Sequence, residues 1–184
     1  KNYAYSRISY IPPYLAAVDP SLVETAADNR YVTVVGDDTL PDMMLGRLAV
    51  NTTDEADAFV TKIMAYEQSP EPGDWQQQVL FVADNADAGG DFAQLSDDLL
   101  ACCLPDPYEA EKVYYGVTHT TRNTARAAIQ DSINEWPSHV TYIGHAGHNV
   151  WAGEALFMAS DVAGLTNGNK MPIMLPMTCY DGFY

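Results

Sequence analysis

The 184-residue chain sets 25 Asp and Glu against 9 Lys and Arg, a formal charge of −16, and 47% of its residues are hydrophobic. That length fits one domain, the apolar share supports a packed core and excludes global disorder, and the negative field argues against nucleic acid and anionic membranes as partners. The longest apolar run, around Met171–Met177, falls far short of the ~20 residues a membrane helix requires.

Lys1–Arg30 holds Pro12-Pro13 and Pro20 among several tyrosines without a sustained period and reads as loop. A short helix can start at Asp19-Pro20-Ser21, since proline is tolerated in a first turn. Tyr31–Val35 is a β-branched run closed by Gly36-Asp37-Asp38, and Met44–Val50 is a second candidate strand. The turn residues between them predict a hairpin-like pair at a sheet edge. Thr52 with Glu55 forms a capping-box pattern, and Ala56, Phe59, Val60, Ile63 and Met64 follow at helical spacing until Pro70, Pro72 and Gly73 stop it.

Val79–Ala83 is a continuous apolar run, the mark of a strand buried on both faces. Phe92, Leu95, Leu99 and Cys102 or Cys103 line a second helix, Lys112–Val117 is a strand, and Ala125–Trp136 is a helix with Ala125, Ala128, Ile129 and Ile133 on one side. Val140–Ile143 and Ile173–Met177 are further strands, with a short helical stretch near Ser160–Leu165 between them. Adjacent cysteines such as Cys102 and Cys103 rarely bond each other, so no disulfide framework is expected.

Strands alternating with helices predict an α/β sandwich with a mostly parallel sheet. Functional groups in such sheets collect beyond the carboxyl ends of the strands, which singles out Asp84–Phe92, Gly144–Trp151 and Thr178–Phe183. His145 lies among small residues that let backbone amides approach a ligand, and Cys179 leaves a buried-type strand into a polar loop. A His and a Cys on neighbouring strand ends can form a dyad in which imidazole assists the thiol. Spacing alone leaves open that Cys179 is a buried, inert cysteine, the commoner fate of that residue. His145 and His148 across a glycine loop are poor zinc geometry, with no obvious third ligand. The acids Asp84, Asp87 and Asp91 also read as a turn, a helix cap or a calcium loop, although the run lacks the final Glu of an EF-hand.

Gly144-His145-Ala146-Gly147-His148-Asn149-Val150-Trp151, then Leu165-Thr166-Asn167, Leu175, Cys179 and Gly182-Phe183, resemble the active-site region of gingipain-type cysteine peptidases, caspase-like proteases of clan CD. Upstream, Ala27-Asp28-Asn29-Arg30-Tyr31, Gly36-Asp37-Asp38, Leu45-Gly46-Arg47-Leu48 and the helix Asp54–Glu67 are similar to that family's segments in the same order. The resemblance implies a caspase-like α/β/α sandwich with a mostly parallel sheet. It makes Cys179 the nucleophile and His145 the general base and acid. The oxyanion hole would be the backbone N–H groups of Cys179 and of Ala146, which stands where the family has Gly. An acidic residue in the loop after Val79–Ala83 orients the histidine; Asp84 is the first choice and Asp87 the second.

By the same resemblance residues 1–184 are a single catalytic-domain segment, shorter at both ends than the family's domain. Its partners would be a polypeptide substrate and the rest of the parent chain or other chains completing the sheet. The implied function is cysteine endopeptidase, with an inactive caspase-like surface, adhesion or assembly module as the alternative. The chemistry requires no cofactor, any metal ligands are unknown, and structural calcium is left open. The family's best-known members prefer basic P1 side chains, though the sequence does not specify this chain's own P1 preference, and an extracellular or cell-surface location follows from the family alone.

Overall fold

The computed structural model describes residues 11–17, 24–135 and 137–180. The described residues up to Ile63 form one compact unit and those from Met64 onward a second. The helix expected at Asp19-Pro20-Ser21 and the Gly182-Phe183 pair lie outside the described residues.

In the first unit, β1 (Leu15–Ala16) pairs antiparallel with β2 (Thr25–Ala26), and Asp28–Val32 forms a 3-10 turn. The hairpin expected from Tyr31–Val35 and Met44–Val50 does not form. The Asp42 carboxylate accepts the N–H groups of Val34 and Val35 at 2.7 and 2.9 Å, so donors that a ladder would use are taken by a side chain. Asp28 and Arg47, which belong to two of the segments resembling the family, make an ion pair. Arg47 also donates to the Ile11 carbonyl, and Asp28 accepts the Tyr14 N–H. These motif residues therefore organise the unit's loops. The helix α1 (Thr53–Gln68) starts with the expected reciprocal cap: Thr52 Oγ1 accepts the Glu55 N–H at 3.1 Å and Glu55 accepts the Thr52 N–H at 3.2 Å.

The second unit is built on β3 (Gln78–Ala83), followed in chain order by α2 (Phe92–Cys103), β4 (Glu109–Tyr114), α3 (Arg122–Glu135) and β5 (His139–Ile143). A small antiparallel ribbon of β6 (Ala146–Gly147), β7 (Val150–Trp151) and β8 (Phe157–Met158) comes next, then a 3-10 turn at Ala159–Gly164 and β9 (Ile173–Met177). The main sheet is all parallel in the order β4-β3-β5-β9. Successive residues of the central strands point to opposite faces. Leu80, Val82, Val140 and Tyr142 therefore join Ala125, Ile129 and Ile133 of α3 on one side. Val79, Phe81, Ala83 and Ile143 join Phe92 and Ala93 of α2 on the other. Two helical layers on one parallel sheet make the expected α/β/α sandwich.

Three local expectations are corrected. The strand expected at Lys112–Val117 is β4, three residues earlier. Thr118 Oγ1 takes the Tyr114 N–H at 2.7 Å, and the N–H groups of Val117, Thr118 and His119 fold back on the Tyr114 carbonyl. In α2 the buried residues are Phe92, Ala93 and Ser96, while Leu95 is exposed. Ser96 tolerates the core because its hydroxyl donates to the Phe92 carbonyl at 2.9 Å. Cys102 and Cys103 are joined as a vicinal disulfide, their Cα atoms 3.7 Å apart at the end of α2.

Candidate active site

The connections from β3 and β5 create the site's position. β3 passes through α2 on one face to β4, and the chain returns through α3 on the other face to β5 on the opposite flank of β3. Between β3 and β5 the direction of winding switches, and crevices form at the carboxyl ends of strands at such points. Asp84 follows β3 directly, and His145 follows β5 by two residues.

His145 is fixed through its backbone. Its N–H donates to Asp84 Oδ2 at 3.3 Å, while its carbonyl accepts the Tyr142 hydroxyl at 2.6 Å and the Ala152 N–H at 2.7 Å. Tyr142 is itself held by Trp151, stacked with ring centroids 4.5 Å apart and planes 5° from parallel. Gly144 makes this arrangement sterically feasible, since a Cβ there would lie 2.5 Å from Asp84 Cβ and 2.6 Å from the Tyr142 hydroxyl.

The imidazole meets a different acid. His145 Nε2 lies 3.0 Å from Asp87 Oδ2, and its ring meets Phe92 edge-on at 5.3 Å between centroids. Asp87 is aimed by its own turn: its Oδ1 accepts the Gly89 N–H at 2.7 Å, and its backbone exchanges hydrogen bonds with Gly90. Gly89 has no Cβ, which would otherwise stand 3.3 Å from the imidazole Nε2. Of the acids singled out in this loop, Asp84 contacts the backbone of His145, Asp87 contacts its ring, and Asp91 caps α2 through the Gln94 N–H.

The two carboxylates differ electrostatically. Burial pushes the Asp84 carboxyl above its ordinary range, against the pull of N–H groups donated by Asn85 and His145. Asp87 is held below its ordinary range, first by the Gly89 N–H and further by His145. Burial also raises the Tyr142 hydroxyl, so it stays protonated and serves as a donor. Among the described residues no three His, Cys, Asp or Glu side chains gather as a metal-binding group.

Cys179 is a free, exposed thiol. β9 pairs with β5 in the register Ile143 beside Met177, and His145 and Cys179 each stand two residues beyond that pair. Neighbouring strands run about 4.8 Å apart, so the topology starts the two loops from adjacent strands at the carboxyl end of the sheet. Ala146 lies in β6 paired with Trp151, on extended backbone that strains no Cβ. Leu165 packs against the α3-side core and Asn167 donates to the Lys170 carbonyl at 2.7 Å, shaping the approach to β9.

Sequence reasoning did not single out Tyr142, Phe92 or Gly89 as supports of the histidine. The one available signal was a tyrosine inside the candidate strand Val140–Ile143, three residues before His145, since a buried hydroxyl needs a partner.

The profile of peptidase family C25 matches residues 1–184. The chain is 27% identical over 164 residues to gingipain R2 of Porphyromonas gingivalis, covering 85% of this chain and 21% of that protein. It is likewise 27% identical to gingipain R1 of the same organism, there covering 16% of the relative. Among solved structures, the complex of Porphyromonas gingivalis RgpB pro- and mature domains superposes with a TM-score of 0.67 at 24% identity, over 86% of this chain and 37% of that one. The Arg-specific cysteine proteinase gingipain R gives a TM-score of 0.64 at 25% identity, over 85% and 36%. The chain thus spans about a fifth or less of these curated relatives and little more than a third of the solved chains.

Proposed function

The chain belongs to peptidase family C25, the gingipain-type cysteine peptidases, and on that premise we propose that it is the dyad-bearing segment of a cysteine endopeptidase. The observation that carries this reading is the β5–β9 register, which starts the His145 and exposed Cys179 loops from adjacent strands. In the proposed cycle the Cys179 thiolate attacks the carbonyl carbon of a peptide bond. Backbone N–H groups of Cys179 and Ala146 receive the tetrahedral oxyanion. His145 gives a proton to the leaving amine, and water, with His145 as base, hydrolyses the thioester.

Asp87 is the acid whose position supports a role in orienting the imidazole; Asp84 supports it indirectly, through the His145 backbone. The alternative of an inactive surface module gains nothing from Cys179, since a thiol sealed under packed side chains would have favoured it and this one is exposed. Polypeptide is the proposed substrate. A basic residue before the scissile bond fits the charge of −16 and the arginine specificity named for gingipain R. The chemistry as written needs no cofactor.

An extracellular or cell-surface setting is carried over from the family. No helix among the described residues is long and apolar enough to cross a membrane. β9 leaves Ile173, Met174, Leu175 and Met177 exposed, which supports the reading that the parent chain or another chain covers it.

In the full parent polypeptide, Cys179→Ala is expected to abolish peptide cleavage and covalent labelling by a peptidyl chloromethylketone. Turnover at the wild-type rate in that variant would sink the proposal.

A further inference from the structure

Tyr180 directly follows Cys179 and takes left-handed backbone, with φ 66°. In that region Cβ crowds the following carbonyl, so a non-glycine residue stays there only where its surroundings hold it. Its ring meets that of His148, with centroids 4.3 Å apart and planes tilted by 39°. His148 sits in the turn between β6 and β7, a hairpin that begins immediately after His145. The hairpin is well tied down: Ala152 donates to the His145 carbonyl, Ala159 donates to the Asn149 carbonyl, and Trp151 stacks on buried Tyr142. The loop bearing Cys179, by contrast, leaves an exposed strand.

We propose that His148 is a positioning residue for Cys179: through its ring contact with Tyr180 it ties the nucleophile's loop to the anchored hairpin that starts at His145. This rests on the cysteine peptidase reading above. His148 acts through Tyr180 and not on the substrate. Displacing a reacting atom by about 1 Å costs up to a hundredfold in rate, so a contact that fixes the residue next to the nucleophile acts on kcat more than on substrate affinity. What matters here is the ring, not its proton, and an apolar ring of similar size substitutes for imidazole.

The test uses the full parent polypeptide, a peptide substrate, and iodoacetamide alkylation of Cys179 followed by mass spectrometry. His148→Ala is expected to lower kcat about tenfold with KM within about twofold, while the circular dichroism spectrum is unchanged. His148→Phe restores most of the lost kcat. Tyr180→Ala matches the loss, and the double variant His148→Ala/Tyr180→Ala is no slower than either single one, because partners in one contact do not add. Wild-type kcat in His148→Ala, failure of His148→Phe to rescue, or multiplying losses in the double variant would each overturn the proposal.

The alkylation arm separates this inference from the function it rests on. If the parent cleaves no peptide, the peptidase reading fails. The rate at which Cys179 is alkylated still reports how the loop is held, and is expected to change about threefold or more in His148→Ala. Equal alkylation rates would overturn the positioning role whether or not the parent is an enzyme.

Discussion

β5 and β9 are five-residue strands lying side by side in parallel register, and each leads to one of the two candidate residues, His145 and Cys179. Their surroundings differ sharply. In β5, Val140, Thr141, Tyr142 and Ile143 are buried, and the residues that follow are gripped by Asp84, Tyr142 and Ala152. In β9, Ile173, Met174, Leu175 and Met177 are exposed, and Pro176 is only partly covered. A proline within the run suits a strand at the margin of a sheet. The comparison teaches that the His145 side of the candidate site is held by buried neighbours on β3, β5 and the ribbon, whereas the Cys179 side follows a strand that is largely exposed.

The largest effect expected from perturbing the rigid half is at Gly144. Gly144→Ala would drive a Cβ to 2.5 Å from Asp84 Cβ and 2.6 Å from the Tyr142 hydroxyl, atoms fixed at the ends of buried strands. It should cost about 3 kcal/mol or more of stability by overpacking, read as a lowered urea midpoint. A wild-type midpoint would show that the grip on His145 is soft.

Next comes a matched pair. Val140 is fully buried and Leu175 is 47% exposed. Val140→Ala should destabilise by about 2 kcal/mol, against roughly 0.5 kcal/mol or less for Leu175→Ala, again by urea unfolding. Equal costs would break the distinction between the strands. A large cost for Leu175 in the full parent but not in this segment would sharpen it, by showing that another part of the parent covers β9.

The smallest effect concerns pH. The Asp84 carboxyl titrates above its ordinary value of 3.8 in the folded chain, so between 3.8 and that raised value the folded state keeps a proton that the unfolded state releases. Stability therefore falls as pH rises through this window, and the ionised group is a net cost above it. Asp84→Asn, uncharged at every pH, should flatten that slope in unfolding free energy measured from pH 3.5 to 7. An unchanged slope would mean that the N–H groups of Asn85 and His145 offset the burial. Asp87, shifted downward, has the opposite sign: its contribution is present above 3.8 and is lost as pH falls through its folded value.

Val79–Ala83 was legible as a strand because burial on both faces leaves a continuous hydrophobic signature, whereas Ile173–Met177 carries the same apolar run yet forms an exposed strand, so the buried strand expected before Cys179 is corrected. α3 was legible because Ala125, Ile129 and Ile133 recur at helical spacing. The Tyr31–Val35 hairpin misled because β-branched residues favour strands only on average, and the Asp42 side chain took the ladder's donors. The ribbon β6-β7-β8 left no periodic trace, since two-residue strands are too short to show one.

What the sequence determined by itself is therefore the chain order of the main-sheet strands and the helices between them, the parallel sheet, and the two strand-end loops that hold His145 and Cys179. Hydrophobic periodicity is a local property, and strand ends in an α/β sheet are functional by topology. What only the tertiary structure decided is how the acids divide their work. Asp84 and Asp87 are three residues apart and chemically identical, yet one is buried against the His145 backbone while the other reaches the ring across 58 residues of sequence. The Asp87–Gly90 turn and the close approach at Gly144 set that division. Both arise from where β3 and β5 bring distant segments together, which no local pattern encodes.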